Sequence, residues 1–342
     1  MLNPNEISER ILCRLVQGRT CLFISTKESA YIRNSQETRL LNQYAASLVV
    51  CASSSRSYPR RLLHVYSWLL THSLKAYDVI FVGFAPQLAL PLFWRKMRDK
   101  TVIIDFFISL YDTFVCDRKR FGPGGLVARF LKWLDQSTLR RADYVVCDSK
   151  AHAEYFIEEL GLKSKKRIIL YLRADTAIYH SGVAAARRGR ATKVLYFGSI
   201  LPLQGIDIVI QAIQLLSDRS DLEFTLIGPL PKRQKRALTA LAGVTAFDWL
   251  SQPELAREIA GADLCLAGHF SAEIAKARRT IPGKAYIYQA MGKPMILGDC
   301  PANRELFSQD EKTIFVSQGD GRELARAIGE FAANRNNPNQ DK

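Results

Sequence analysis

Val194–Leu216 reads VLYFGSILPLQGIDIVIQAIQLL. Four apolar residues, Val194–Phe197, make a strand that stops at Gly198. A short loop follows. From Gly205 onward, Ile206, Val209, Ile210, Ile213 and Leu216 return on one face at helical spacing. Strand, glycine and helix in this order are the repeating unit of a doubly wound α/β sheet. Backbone N–H groups at such a helix start, at the positive end of its dipole, suit a phosphate. Gly198 lets a ligand approach the chain closely. The same unit occurs in any α/β protein, so alone it names no ligand.

The rhythm extends in both directions. Toward the N-terminus, strands are expected at Thr20–Ser25, Ser47–Cys51, Asp78–Val82, Thr101–Asp105, Tyr144–Cys147 and Ile168–Leu172. Helical patterns separate them: Ile32–Ala45, Tyr58–Leu74, Pro86–Met97, Leu126–Arg140 and Lys150–Leu160. Toward the C-terminus come strands Glu223–Ile227, Leu264–Ala267, Pro294–Leu297 and Thr313–Val316, with helices near Pro282–Met291, Asn303–Leu306 and Gly321–Ala333. The strand runs are continuously apolar, as strands covered on both faces must be. Arg173–Thr192 breaks the rhythm with SGVAAARRGRATK, which has no apolar face. The expected organisation is two tandem Rossmann-like α/β domains, 1–174 and 193–334, joined by a linker at 175–192, with a frayed tail at 335–342. Two such domains would face a cleft lined by strand carboxyl ends, where ligands bind.

Charge distinguishes the two halves. The chain of 342 residues carries a net +15, and residues 1–174 hold 27 basic against 15 acidic side chains. A first domain of net +12 points to an anionic partner. Its basic clusters lack the interleaved aromatics of a nucleic-acid module, so an anionic membrane surface is the expected partner and nucleic acid is not. PQLALPLFWRK, residues 86–96, joins apolar residues to a basic end as an interfacial helix does; a buried helix with a basic stop reads the same way. The uncharged, largely apolar run Val79–Trp94 is shorter than the about 18–20 residues that a bilayer span needs. The N-terminus reads as no signal peptide. Seven scattered cysteines with no CxxC pair suit a reducing compartment. The expected location is cytoplasmic, with peripheral attachment to the membrane. The five histidines have no metal-ligand spacing, so no metal and no cofactor is expected.

A second stretch, KARRTIPGKAYIYQAMGKPMILGD, crowds Lys276, Arg278, Arg279 and Lys284 before a helix that Pro282 would open at its first position. Cations at a positive dipole end repel it unless an anion is supplied. That arrangement predicts a phosphate or diphosphate site. Gly292-Lys293-Pro294 then reads as a helix stop.

In order, PLQGID, LIGPL, FDWLSQPELAREIAGADLCLAG, IPGKAYIYQAMGKP and GDCPANREL make Val194–Phe307 resemble the second domain of the family-4 retaining glycosyltransferases of GT-B fold. TVIIDFFISLYDTF, RRADYVVCDSKAH and IILYLRAD extend the resemblance weakly into the first domain. The resemblance implies a nucleotide-sugar donor in the second domain, a lipid-linked or growing glycan acceptor in the first, and no metal. It also exposes departures. Ser199 and Gln204 stand where the family carries Arg and Lys, and Arg279 and Ile287 stand where it carries two glutamates. The chain resembles a subgroup in which an I-P-x-K helix start takes over the phosphate work. On that reading Gly198, Ser199, Lys276, Arg278, Pro282, Gly283 and Lys284 hold the donor. Trp249 either stacks on the nucleobase or packs at a strand end. Glu273, near the first family glutamate, would serve the donor sugar or stand on a solvated helix face. Asp105, Asp112 and Asp117 follow a strand's carboxyl end; Asp105 or Asp112 would orient the acceptor hydroxyl or take its proton, or else cap a helix or pair with Arg118 and Lys119. Loss of the family pairs also fits a binding or partner subunit of the same fold without transferase activity.

Overall fold

The computed structural model describes residues 4–185 and 190–336. The chain divides after Arg173 into two compact units. In the first, α1 (Pro4–Val16), β1 (Thr20–Ile24), α2 (Ile32–Tyr44), β2 (Ser47–Cys51), α3 (Tyr58–Thr71), β3 (Val79–Val82) and α4 (Leu90–Met97) are followed by β4 (Thr101–Asp105), α5 (Leu126–Arg141), β5 (Tyr144–Cys147), α6 (Lys150–Leu160) and β6 (Arg167–Ile169). The strands form one parallel sheet in the order β2-β1-β3-β4-β5-β6. Along β1 and β3, Leu22, Ile24, Ile80 and Val82 enter one core layer, while Cys21, Phe23, Val79 and Phe81 enter the layer on the opposite face. Successive strand residues point to opposite faces, so burial of both faces demands an unbroken apolar run.

The second unit holds β7 (Thr192–Phe197), α7 (Ile206–Leu215), β8 (Leu222–Ile227), α8 (Lys232–Thr239), β9 (Val244–Phe247), α9 (Gln252–Gly261), β10 (Leu264–Gly268), α10 (Gly283–Ala290), β11 (Met295–Gly298), α11 (Pro301–Arg304), β12 (Thr313–Val316) and α12 (Gly321–Asn336). Its parallel sheet runs β12-β11-β10-β7-β8-β9. From β7 the chain winds outward through β8 and β9, then returns to lay β10 on the other side of β7. The point between β7 and β10 is therefore the topological switch, and ligands bind outside the carboxyl ends of the strands there. Pairing of Leu266 with Tyr196 sets the two strand ends, Gly268 and Gly198, side by side.

Several sequence boundaries are corrected. Thr192, placed in the linker, opens β7, and the linker's residues 186–189 lie outside the described residues. The tail expected from 335 is helical through Asn336; 337–342 lie outside the described residues. The run 86–96 is not one interfacial helix. It is a 3-10 turn, Pro86–Leu88, followed by α4, with Leu90 and Met97 buried and Phe93 and Trp94 packed on the core. β9, α8, α9 and α1 had no counterpart among the expected elements.

Candidate functional site

Gly205 positions the loop after β7. It lies at φ +61°, and a Cβ there would sit 2.6 Å from the backbone nitrogen of Ser271. No other residue type fits without displacing the 270–271 backbone. This contact holds Gln204 beneath the loop after β10, where the Phe270 N–H donates to the Gln204 carbonyl at 3.2 Å.

Lys284, in the first turn of α10, reaches the switch point from the other side. Its side chain is 5% exposed. Nζ donates to Gln204 Oε1 at 3.1 Å and stands 3.7 Å from the centroid of the Tyr196 ring. The Tyr196 hydroxyl donates to the same Gln204 oxygen at 2.7 Å, and Gln204 Nε2 reaches Ser199 Oγ at 3.5 Å. A Cβ on Gly198, at φ +151°, would approach Gln204 Oε1 to 2.6 Å and Lys284 Nζ to 3.2 Å; one on Gly268 would lie 3.7 Å from Nζ. The ammonium is thus lodged between the two strand ends that flank the switch.

Its neighbours are an amide oxygen and a ring face. Among the described residues no carboxylate lies within ion-pair distance of Nζ. Burial pushes the Lys284 pKa well below the usual lysine value, with no opposing carboxylate to raise it. The same burial raises the Tyr196 phenol. A neutral hydrogen-bond acceptor and a cation–π contact compensate only part of the desolvation of an ammonium. A diphosphate would complete the compensation.

The structure brings Gly198, Ser199, Gly283 and Lys284 to one place. Pro282 is the N-cap of α10, and Gly283 is its first helical residue, one position later than the sequence suggested. Lys276 and Arg278 belong to a separate 3-10 turn, Ala275–Arg278. Arg278 lines a pocket of about 540 Å³ at the ends of β11 and β12, with Asp299, Cys300, Arg304, Ser317 and Gln318. Arg304 there is held by Asp299 in two bonds of 2.8 Å. Glu273 is exposed in the loop after β10. Trp249, just beyond β9, is 76% exposed, so it does not serve the core. Tyr196 and Gly268 were not among the sequence candidates. Gln204 was noted only as a missing basic residue, and here it is the acceptor that holds Lys284.

In the first unit, Asp105 ends β4 and is fully buried. Arg33 on α2 grips it with Nε at 3.1 Å and Nη2 at 2.9 Å. Arg33 also donates to the Leu170 carbonyl at 2.5 Å and pairs with Glu37 at 3.2 Å. Asp105 is therefore a counter-ion inside the core. Asp112 opens a π-helical turn, Asp112–Asp117, and is also fully buried; its N–H is donated to Ser109 Oγ at 2.9 Å. Among the described residues no group of three or more His, Cys, Asp or Glu is placed to hold a metal ion, and no helix is long and apolar enough to cross a membrane.

Residues 191–334 match the family model for glycosyl transferases group 1. A comparison with curated proteins finds no match by sequence. Among solved structures, sucrose-phosphate synthase from Thermosynechococcus elongatus superposes with a TM-score of 0.67 at 13% identity, covering 92% of this chain and 90% of the other. HepE from Anabaena in complex with UDP gives 0.62 at 16% identity, with coverage of 92% and 90%. The catalytic domain of starch synthase IV from Arabidopsis thaliana, bound to ADP and acarbose, gives 0.60 at 12%, with 92% of each chain covered. The two-unit α/β architecture is the GT-B fold, and the match to the glycosyl transferases group 1 model falls within the second unit.

Proposed function

We propose that this chain, through its group 1 glycosyltransferase domain, transfers a sugar with retention from a nucleotide diphosphate to a hydroxyl of a lipid-linked or growing glycan. One observation carries the reading: a buried lysine with no anionic partner among the described residues stands at the topological switch of the second unit, between two glycine strand ends. Lys284 holds the donor diphosphate, with Gly198 admitting the phosphate oxygens and Ser199 beside them. Gln204 fixes the ammonium without neutralising it, so the charge stays available to the ligand. Negative charge on the diphosphate grows as the sugar departs, and an ammonium that the bound diphosphate keeps charged in a dry site stabilises that charge more than the ground state. Trp249 offers an exposed ring to the nucleobase, Lys276 and Arg278 extend the basic surface, and Glu273 serves the donor sugar. Asp112 serves the acceptor side; Asp105, held by Arg33, ties the end of β4 to α2. The first unit, with its excess of cations, meets an anionic membrane that carries the acceptor, on the cytoplasmic side. The reaction uses no metal, so EDTA leaves its rate unchanged.

Ile287, where the resembling family places a ribose-binding glutamate, favours the second reading, a nucleotide-binding subunit without transfer. Calorimetric binding of UDP, GDP and ADP, followed by transfer assays with the matching sugar donors, decides between them. Binding with turnover supports the transferase. Binding without turnover across a broad acceptor panel supports the subunit. Binding of none of the three removes the phosphate site itself.

A further inference from the structure

α5 shows solvent an apolar stripe. Leu126, Phe130 and Trp133 recur on one face and are 81%, 55% and 52% exposed. The Phe130 and Trp133 rings stack with centroids 5.8 Å apart. Val127 and, in the loop before the helix, Phe121 are also exposed. Single exposed apolar residues are ordinary, but five crowded onto one segment mark an interaction surface.

The same segment is strongly basic. Residues 118–134 hold Arg118, Lys119, Arg120, Arg129 and Lys132 and no Asp or Glu. Lys132 is spent on Glu159 of α6, at 3.1 Å. The other four cations are exposed, and among the described residues no carboxylate lies within ion-pair distance of them. The acids that bracket the stretch, Asp117 and Asp135, are buried.

We infer that Phe121–Trp133 is the element by which the first unit lies on an anionic lipid surface. Phe and Trp settle at the headgroup boundary, and anionic headgroups supply the charge that the protein lacks there. A second copy of this chain is a poor occupant, because a two-fold contact would set each cationic patch against its twin. The inference rests on the reading that the first unit meets an anionic membrane, and it moves the contact from residues 86–96 to the start of α5.

The test is co-sedimentation of the full chain with phosphatidylcholine vesicles, with and without phosphatidylglycerol, over a range of salt. The wild type is expected to bind the anionic vesicles, and salt to weaken binding. Arg118→Glu/Lys119→Glu/Arg120→Glu should lower binding about a hundredfold or more, given the usual contribution of each basic residue near such a surface. Leu126→Ser/Phe130→Ser/Trp133→Ser should lower it at least about tenfold; all three side chains are exposed, and circular dichroism checks the fold. Lys163→Glu/Lys165→Glu, in a separate basic cluster at Lys163–Arg167, should change it little. Wild-type binding that survives both α5 variants overturns the placement alone. No wild-type binding overturns the placement and the membrane reading together. Concentration-dependent self-association abolished by the apolar variant would assign the face to a second copy instead.

Discussion

Arg33 and Lys284 are both buried cations that reach strand ends from helices, yet their surroundings are opposite. Arg33 is closed off by Asp105, Glu37 and the Leu170 carbonyl. Lys284 meets one amide oxygen and one ring. The first unit neutralises its buried charge within its own core. The second leaves a charge that the proposed donor diphosphate would answer. A buried charge is thus read by what answers it, and burial alone does not distinguish a core ion pair from a binding site.

The largest effect expected is on the closed pair. Arg33→Met leaves two carboxylates buried without their cation, and breaking such a pair costs about 3–5 kcal/mol. Urea unfolding should show this loss, while nucleotide affinity of the folded fraction stays near wild type. A loss of only a few tenths of a kcal/mol would mean that water reaches Asp105, and the contrast between the two sites would fail.

Lys284→Met should act in the opposite way. Stability should hold or rise, since a desolvated ammonium has been removed from a site without a counter-charge. Nucleotide-diphosphate affinity should fall about tenfold to a hundredfold, the equivalent of a charge-assisted hydrogen bond worth about 1.5–3 kcal/mol. Burial lowers the folded pKa of Lys284 below its unfolded value. Above that lowered value the free lysine is neutral, and a diphosphate that restores its charge takes up a proton. Affinity should therefore fall as pH rises, and calorimetry in buffers of different ionisation heat should detect the uptake. The variant should show neither effect. Proton-neutral binding at every pH up to the ordinary lysine range would place the phosphate elsewhere.

Much of this architecture was legible in the sequence, and the reason is burial. Strands such as Cys21–Ile24 and Val79–Val82 feed core layers on both faces, so their apolar runs stand out. β9 did not stand out, because it closes one edge of its sheet and is only partly covered. α8, KRQKRALT, was missed because it gives the core only Leu238. At the site, Lys284 was visible as a cation too close to a helix start. Its partners were not: Gln204 lies 80 residues away in the chain, and only the fold joins them. Asp105 misled for the same reason. A carboxylate after an apolar strand looks open to a cleft until Arg33, 72 residues upstream, is seen to hold it.

Glu37 gives a smaller and more specific test of the closed pair. Burial first, and the neighbouring Asp105 charge second, raise its folded pKa well above the ordinary glutamate value of 4.5, against the opposing pull of Arg33. A carboxyl raised on folding binds its proton more tightly in the native state. Its stabilising contribution is full below about pH 4.5 and is lost as pH rises through the folded value. Glu37→Gln removes that titration. The variant's unfolding free energy should decline less than that of the wild type across this window, with the two converging in acid. Identical pH slopes would show that Arg33 keeps Glu37 ionised, and the pair would then be a fully charged triad.

The smallest effect is expected at Lys293, a cation that sharpens the comparison because it lies between the two cases. Its Nζ donates to the carbonyls of Ala260 at 2.5 Å and Ala262 at 2.8 Å, where α9 ends. A helix C-terminus presents partial negative charge and unpaired carbonyls, so a lysine there is answered by backbone. It needs neither a buried carboxylate nor a ligand. Lys293→Ala should therefore lower stability by about 1 kcal/mol, the usual range for a cation at a helix C-terminus. Nucleotide affinity should match wild type within error, because this charge has no unmet demand for an anion. Thermal melts with and without UDP separate the two quantities: the variant's melting temperature should drop, and the upward shift on adding UDP should be unchanged. A UDP shift that shrinks in Lys293→Ala as much as in Lys284→Met would show that the anion is drawn by the general positive field of the second unit, and not by the single ammonium at its switch point.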